Sequence, residues 1–429
     1  MKKIHQQLLL ALGLSLAVQA ATASSMLGAY VDGDGWQPAQ ISNFNAVTAK
    51  PLAVVNLFSG FSMNWNSHLS TQASNIVAQG AMPMITWMPV DSSRNTANLL
   101  PEIIGGQWDA YIDAWIQGLR LWRDSYPLDK RPTVMLRFAH EFNGSWYPWA
   151  NDPDNLKAAW RHVHARFQAA GINNSVEWVW CANNVNVDNY NDITRYYPGD
   201  DVVDLTGLDG YNWGSNYSFS QWKGFDATFS VPYLKLIGSF PTKPVVIAEV
   251  ASAEPLDVPD ASLGQDGTDA DVRESKELWV QDMYSRIRTD YPAIRAAVWF
   301  NTNKELDWAL NGSSNTGLTA YNNAVVDPYY LGTFSPLKTT TTTSSGGKGG
   351  GKGGSTTDSG GGGKKPRLSS TLSTEAAPTS RLTGIEQATT ISRMPAAVGE
   401  KLLEMEAHGF RNLPPAALEQ LRKARLHGL

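Results

Sequence analysis

Eight apolar, β-branched runs of strand length recur between residues 27 and 300, and segments of helical character separate them. This alternation is typical of βα units, whose parallel strands form a sheet covered by helices. The runs span Leu27–Val31, Leu52–Phe58, Pro83–Trp87, Thr133–His140, Val176–Trp180, Val203–Leu208, Pro244–Ala248 and Ile294–Phe300. Eight repeats in about 310 residues predict one α/β domain, a TIM (β/α)8 barrel.

Two of the separating segments show one-sided apolar patterns. Apolar residues recur at steps of three or four, as expected of one face of an amphipathic helix. The first face carries Tyr111, Trp115, Leu119 and Trp122, and the second carries Trp160, Val163 and Phe167. These segments are therefore predicted to cover the barrel.

The N-terminal residues have the pattern of a secretory signal peptide. Lys2 and Lys3 precede the apolar run Leu8–Val18, and small residues follow up to Ala23. We expect residues 1–23 to be a signal peptide that directs secretion to the periplasm or the extracellular space. No later stretch approaches the roughly 18 uninterrupted apolar residues of a spanning helix, so no membrane span is expected.

Composition changes sharply at the predicted end of the barrel domain, which we place at residues 24–337. Residues 338–390 are rich in Thr, Ser, Gly and Lys and are predicted to form a disordered, flexible linker. Residues 391–429 are predicted to form a short helical tail of unknown role, interrupted at Pro414–Pro415. The tail is too small for a core of its own, so we hypothesise that it is a docking or oligomerisation segment with an unknown partner.

Charge and cysteine content narrow the function classes. The 429 residues carry a formal net charge of -5, which gives no basic bias toward nucleic acid. Cys181 is the only cysteine, so an intramolecular disulfide is excluded, and the residue is expected to be a small buried thiol.

Two glutamates stand at the predicted carboxyl ends of strands, where a TIM barrel has its active site. Glu141 ends the fourth strand and Glu249 ends the seventh. Two carboxyl groups facing each other can divide acid/base and nucleophilic work, which cleavage of a glycosidic bond requires. Aromatic residues that could stack on sugar rings lie at or after strand ends: Trp87, Trp146, Tyr147, Trp149, Tyr211, Trp213 and Trp299.

Four motifs resemble those of glycoside hydrolase family 26, the β-mannanase family of a large retaining (β/α)8 clan. They are HEFNGSWYPW, WVWCANN, VDLTGLDGYNWG and KPVVIAEVAS, in this order, and the resemblance covers roughly residues 27–330. It implies a retaining endo-β-glycanase that acts on β-linked polysaccharide, of the β-1,4-mannan type in most of the family, without a cofactor.

The resemblance also implies roles for individual residues. Glu141 resembles the acid/base and Glu249 the nucleophile. Substrate-binding positions are implied for Arg137, His140, Trp146, Tyr211, Trp299 and Trp87. Of these, Tyr211 is similar to the tyrosine that hydrogen-bonds near the nucleophile, and Trp299 to the tryptophan that floors the subsite holding the scissile bond.

Strand parity gives some of these residues a physical role. Arg137 and Glu141 have the same parity, so both can point into the barrel, and a cation there favours an ionised carboxylate. We expect Arg137 to act on Glu249 more than on Glu141, since the acid/base must keep its proton. His140 has the opposite parity and is expected to orient its neighbours or to contact the sugar.

One departure from the family pattern leaves the substrate open. Many mannanases of the family carry a His after the Trp that ends the third strand, whereas this chain has Met88 after Trp87. ITW together with GYNWG is similar to members that act on mixed-linkage β-1,3-1,4-glucan, and a few members cleave β-1,3-xylan. A carbohydrate-binding or adhesion protein that has lost catalysis is the alternative from another class.

The sequence gives little support for a metal site. VDGDGW at Val31–Trp36 and the acidic segment Asp260–Asp271 both lack the full ligand spacing of a calcium loop. His162 and His164 are two residues apart on a predicted helix and cannot share a face. We therefore expect no metal and no cofactor.

Overall fold

A computed structural model of the chain describes residues 24–338, except for 95, 187–191, 218–219, 256–273 and 313–314. The predicted signal peptide, most of the linker, the tail and the acidic segment Asp260–Asp271 lie outside the described residues.

Eight parallel strands form a closed barrel. The strands are β1 (Ser25–Val31), β2 (Val54–Gly60), β3 (Met82–Met88), β4 (Val134–Phe138), β5 (Val176–Asn183), β6 (Leu205–Asn212), β7 (Val245–Ser252) and β8 (Ile294–Asn301). Each strand pairs with the next in sequence, and β1 pairs with both β8 and β2, which closes the sheet. A short ninth strand, β9 (Tyr330–Leu331), pairs with β1. The TIM barrel predicted from the strand–helix alternation is confirmed.

Helices surround the barrel. They are α1 (Pro38–Val47), α2 (Ser70–Ala78), α3 (Leu100–Ile104), α4 (Asp109–Asp124), α5 (Pro153–Ala169), α6 (Phe225–Ser239), α7 (Lys276–Thr289) and α8 (Thr316–Val325). One π-helical turn (Trp65–Leu69) leads into α2, and 3-10 turns span Leu128–Lys130, Asn173–Ser175 and Ile193–Tyr196. The apolar faces predicted for α4 and α5 are buried, apart from Tyr111, which is half-buried. None of the described helices has the length and hydropathy needed to cross a membrane.

Side chains alternate between two apolar layers, as the pleat of a strand requires. Residues that point inward, such as Met84, Met135, Cys181 and Val298, fill the barrel interior. Residues of the opposite parity pack against the helices in a larger outer core. Cys181 is free and buried, as predicted.

The observed strand ends differ from the predicted ones at the two glutamates. β4 stops at Phe138, because Ala139 and Glu141 adopt left-handed conformations with φ of 46° and 52° that cannot continue a strand. β7 continues past Glu249 to Ser252. Glu141 therefore lies three residues beyond its strand, and Glu249 lies inside one.

The segment after β9 closes the amino-terminal end of the barrel, which we call the bottom. Phe334 and Leu337 pack against the interior cluster. Glu177, which is almost fully buried, accepts hydrogen bonds from the backbone N–H groups of Leu337 (2.7 Å) and Lys338 (3.0 Å). Lys338 also pairs with Asp204 at 3.1 Å. The packed structure therefore extends to Lys338.

Candidate active site

Glu141 lies at the mouth of the barrel and is fully buried by its neighbours. One carboxyl oxygen accepts a hydrogen bond from Trp146 Nε1 at 2.7 Å, and the other accepts one from Asn183 Nδ2 at 2.7 Å. Asn143 in turn accepts from the backbone N–H of Asn183 at 2.8 Å. Both carboxyl oxygens are therefore held by neutral donors.

The local backbone explains how Glu141 and Trp146 meet. The N–H of Glu141 donates to the carbonyl of Cys181 at 3.0 Å, which ties the left-handed residue to the end of β5. A Cβ on Gly144 would lie 2.5 Å from the indole of Trp146, so only glycine allows this close approach. The left-handed backbone of Ala139 and Glu141 is strained. Such strain costs about 1–3 kcal/mol per residue and clusters at functional sites.

Glu249 has a different environment. One carboxylate oxygen receives a hydrogen bond from Arg137 Nη2 at 2.5 Å, and the other receives one from the hydroxyl of Tyr211. The pairing of β7 with β8 shifts in register between Ile247 and Val250. The pairing of β7 with β6 shifts between Leu208 and Asp209. This irregularity brings Glu249 to the mouth, although Val246 and Ala248 already occupy the interior positions.

Arg137 is the centre of a buried ionic cluster. Its guanidinium donates to Asp209 Oδ2 at 2.6 Å and to Thr86 Oγ1 at 2.6 and 2.9 Å, in addition to Glu249. Burial opposes the positive charge, but the carboxylates of Asp209 and Glu249 outweigh it and raise the pKa of Arg137 well above its usual value. Arg137 therefore stays charged, and its guanidinium contacts Glu249.

His140 also reaches the site, although its parity on β4 is opposite to that of Arg137. Its Nε2 lies 4.0 Å from Glu249 Oε1 and 3.1 Å from the hydroxyl of Tyr147. The alternation of strand side chains does not extend to His140, because β4 ends two residues earlier and the left-handed Ala139 turns the chain. Trp149 donates to the carbonyl of His140 at 2.8 Å and fixes the turn.

Two of the predicted substrate-binding tryptophans do not face the mouth. Trp87 stacks on Trp115 of α4 with ring centroids 4.5 Å apart, and Trp299 packs toward Trp279 of α7. Each has the parity of the outer layer, since Thr86 and Val298 point inward, and neither ring is exposed. The structure thus places both rings in the outer core, and their substrate contacts stay a prediction.

Other residues at the mouth were not predicted. Asp209 and Asn183 lie within the quoted motifs and have inward parity, so strict alternation along β5 and β6 could have identified them. Trp308 lies in the loop after β8 and packs 5.3 Å from Tyr211 and 4.9 Å from Trp213. No periodic signal marks such a loop residue.

His140, Asp209 and Glu249 are the one group of potential metal ligands among the residues that the structure describes, with ligand atoms within 4.8 Å of one another. Arg137 already bridges the two carboxylates. A metal ion there would have to displace the guanidinium, so these residues fit an ionic cluster better than a metal centre.

Comparisons with known proteins point to one family of glycoside hydrolases. Residues 87–258 match the model for "Glycosyl hydrolase family 26". Endoglucanase H of Acetivibrio thermocellus is 37% identical over 315 residues, which cover 70% of this chain and 30% of that protein. Beta-1,3-xylanase TXYA of a Vibrio species is 24% identical over 238 residues, covering 53% of this chain and 46% of the relative.

A solved structure shares the fold. A GH26 β-mannanase from Bacteroides ovatus superposes with a TM-score of 0.55 at 19% identity, covering 75% of this chain and 94% of the mannanase. The chain spans less than half the length of the curated relatives named above.

Proposed function

Because this chain belongs to glycosyl hydrolase family 26, we propose that it is a retaining endo-β-glycanase that hydrolyses a β-linked polysaccharide by double displacement. The observation that carries the proposal is the unequal environment of two buried carboxyl groups. Glu249 contacts a guanidinium and a phenol, whereas Glu141 accepts from an indole and an amide.

The proposed roles follow from these contacts. Arg137 and Tyr211 hold Glu249 and orient it to attack the anomeric carbon. Glu141 gives its proton to the leaving sugar, and then as a base it activates the water that releases the covalent glycosyl-enzyme. Asn183 and Trp146 hold Glu141 in place for both steps.

The roles of the two carboxyl groups are tested by substitution and azide rescue. We expect Glu249→Ala and Glu141→Ala to lose at least about a thousandfold in kcat. Azide should restore turnover in both variants, giving the α-glycosyl azide with Glu249→Ala and the β-glycosyl azide with Glu141→Ala. Glu102→Ala, which removes a surface carboxyl paired with Arg94, is the control. Undiminished turnover in either variant would refute the assignment.

For the substrate, we propose β-glucan, including mixed-linkage β-1,3-1,4-glucan. Support comes from the 37% identity to Endoglucanase H and from Met88 at the position where many mannanases of the family carry a His. β-1,4-Mannan and β-1,3-xylan are the alternatives, the latter because of the xylanase relative. Initial rates on barley β-glucan, glucomannan, mannan and β-1,3-xylan decide between them. Binding without product on all four would favour a catalytically silent protein.

We also propose that residues 1–23 direct secretion. Expression of the full chain in a bacterial host, followed by fractionation and N-terminal sequencing, tests this. A chain that keeps Met1 and stays in the cytoplasm would refute it.

A further inference from the structure

A polar cavity of about 450 Å³ opens beside the barrel mouth, between helix α1 and the loops that follow β1 and β8. Its size is within the range of cavities that bind small ligands. None of the residues described above as candidate catalytic groups lines it. The cavity is therefore separate from the candidate catalytic groups, although it lies at the same end of the barrel.

The lining is rich in groups that bind hydroxyls. Amide side chains can donate and accept, and carboxylates accept from hydroxyl donors. The amide and carboxylate side chains that line the cavity are Asp32, Gln40, Asn43, Asn301, Asn303, Asp307 and Asn311. The buried side chains of Val31 and Phe44 add an apolar surface. No lining residue is cationic, so the cavity suits a neutral polyhydroxy ligand and disfavours an anion.

The wall formed by the loop after β8 is held in place. Asn301 accepts from the backbone N–H of Leu310 at 2.8 Å and donates to Asn311 Oδ1 at 3.0 Å. The backbone of Gly312 approaches the carboxylate of Asp307 closely, since a Cβ there would lie 2.3 Å from both of its oxygens. The polar groups of this wall are thereby positioned before any ligand binds, which lowers the entropic cost of binding.

The same loop also forms a wall of the candidate active site. Phe300 precedes Asn301 and lies 5.8 Å from Tyr211, and Trp308 follows Asp307 and lies 5.3 Å from Tyr211. Tyr211 donates to Glu249. One loop therefore borders both the cavity and the candidate active site.

We propose that this cavity is a distal subsite that binds sugar residues of the same neutral β-glycan chain, away from the bond that is cleaved. This proposal rests on the proposed glycanase function. The amides and carboxylates would bind the sugar hydroxyls.

Filling the cavity tests the proposal. Asn43 lies on the exposed side of α1, so Asn43→Trp inserts a bulky ring with little risk to the fold. Ser42→Trp, on the neighbouring position that does not line the cavity, is the matched control. We expect Asn43→Trp to lower the ratio of kcat/KM on the polymer to kcat/KM on the shortest cleaved oligosaccharide by about tenfold. Ser42→Trp should keep the wild-type ratio.

A second measurement separates this proposal from the proposed function. Glu249→Ala, with and without Asn43→Trp, is titrated calorimetrically with gluco- and manno-oligosaccharides of increasing length. Tighter binding of long chains that Asn43→Trp removes would support the subsite, even if the wild type hydrolyses none of the four polymers. If Asn43→Trp changes neither the ratio of the two kcat/KM values nor the affinity for long chains, the subsite is overturned and the glycanase function stands. An equal loss of kcat/KM on the polymer and on the oligosaccharide would also overturn the subsite.

Discussion

At the scale of the residue, the central feature is a single guanidinium shared by two buried carboxylates. Arg137 contacts Asp209 and Glu249, and all three side chains are almost fully buried. Desolvating these charges costs free energy that only their mutual contacts offset. Asp209 therefore acts as a positioning residue, because it holds the guanidinium that orients Glu249.

The half-buried carboxyl of Asp34 makes stability depend on pH. Burial raises the pKa of Asp34 from 3.8 to about 7, although Phe58 N–H donates to it. The folded protein therefore binds more protons than the unfolded chain between these values, so the free energy of unfolding should fall as pH rises through this window.

Asp34→Asn should abolish this part of the pH dependence and stabilise the protein above pH 7 by roughly 1–3 kcal/mol relative to wild type. Urea unfolding at several pH values between 4 and 9 measures the difference. Asp32→Asn, at an exposed carboxyl two residues away, is the control. Parallel stability profiles for Asp34→Asn and wild type would contradict the prediction.

At the scale of the element, the loop after β8 is anchored by a buried lysine. Lys276, at the start of α7, donates to the carbonyls of Asp307 (2.5 Å) and Ala309 (3.0 Å), which flank Trp308. Burial lowers the pKa of Lys276, partly offset by Glu254 and Asp307. The ammonium thus fixes the loop that places Trp308 against Tyr211.

Lys276→Met should free this loop while it keeps the volume of the aliphatic stem. Two carbonyls lose their donor, which should cost about 1–3 kcal/mol of stability. Displacement of Trp308 should lower kcat/KM by about 10- to 100-fold. Lys276→Arg should recover part of the activity, and Lys235→Met, which breaks an exposed pair with Asp192, should have wild-type kinetics. Normal kinetics in a destabilised Lys276→Met would show a purely structural role.

The elements themselves could be predicted from the sequence, whereas the details of the site could not. Long apolar runs and helical periodicity place β1 to β8, α4 and α5, because burial of such patterns drives the fold. Ala139, Glu141 and the irregularity near Glu249 depend on tertiary contacts that override local preference. The family motifs point to the two glutamates, whereas strand parity places Trp87 and Trp299 in the outer layer.

At the scale of the whole molecule, the barrel depends on the segment that closes its bottom. Truncation after Lys338 should leave stability and activity at the wild-type level, since it keeps Phe334, Leu337 and the donors to Glu177. Truncation after Gly332 should destabilise the barrel by several kcal/mol, because it opens the interior cluster and leaves a buried carboxyl without these donors.

Thermal unfolding of the two truncated proteins, together with their specific activities, measures this difference. Equal melting temperatures would contradict a role for the segment. The truncation after Lys338 also removes the predicted tail, so a change in localisation or assembly without a change in stability would support the docking hypothesis.

Closure of the bottom by the final packed segment has a practical consequence. Lys338 lies beside the starts of β5 and β6, where it contacts Asn173, Val176 and Asp204, and Ser24 lies at the start of β1. Both ends of the folded unit thus lie opposite the mouth. An enzyme immobilised through either end would present the mouth of the barrel away from the support, so tethering at these points should cost no access for a long polymer.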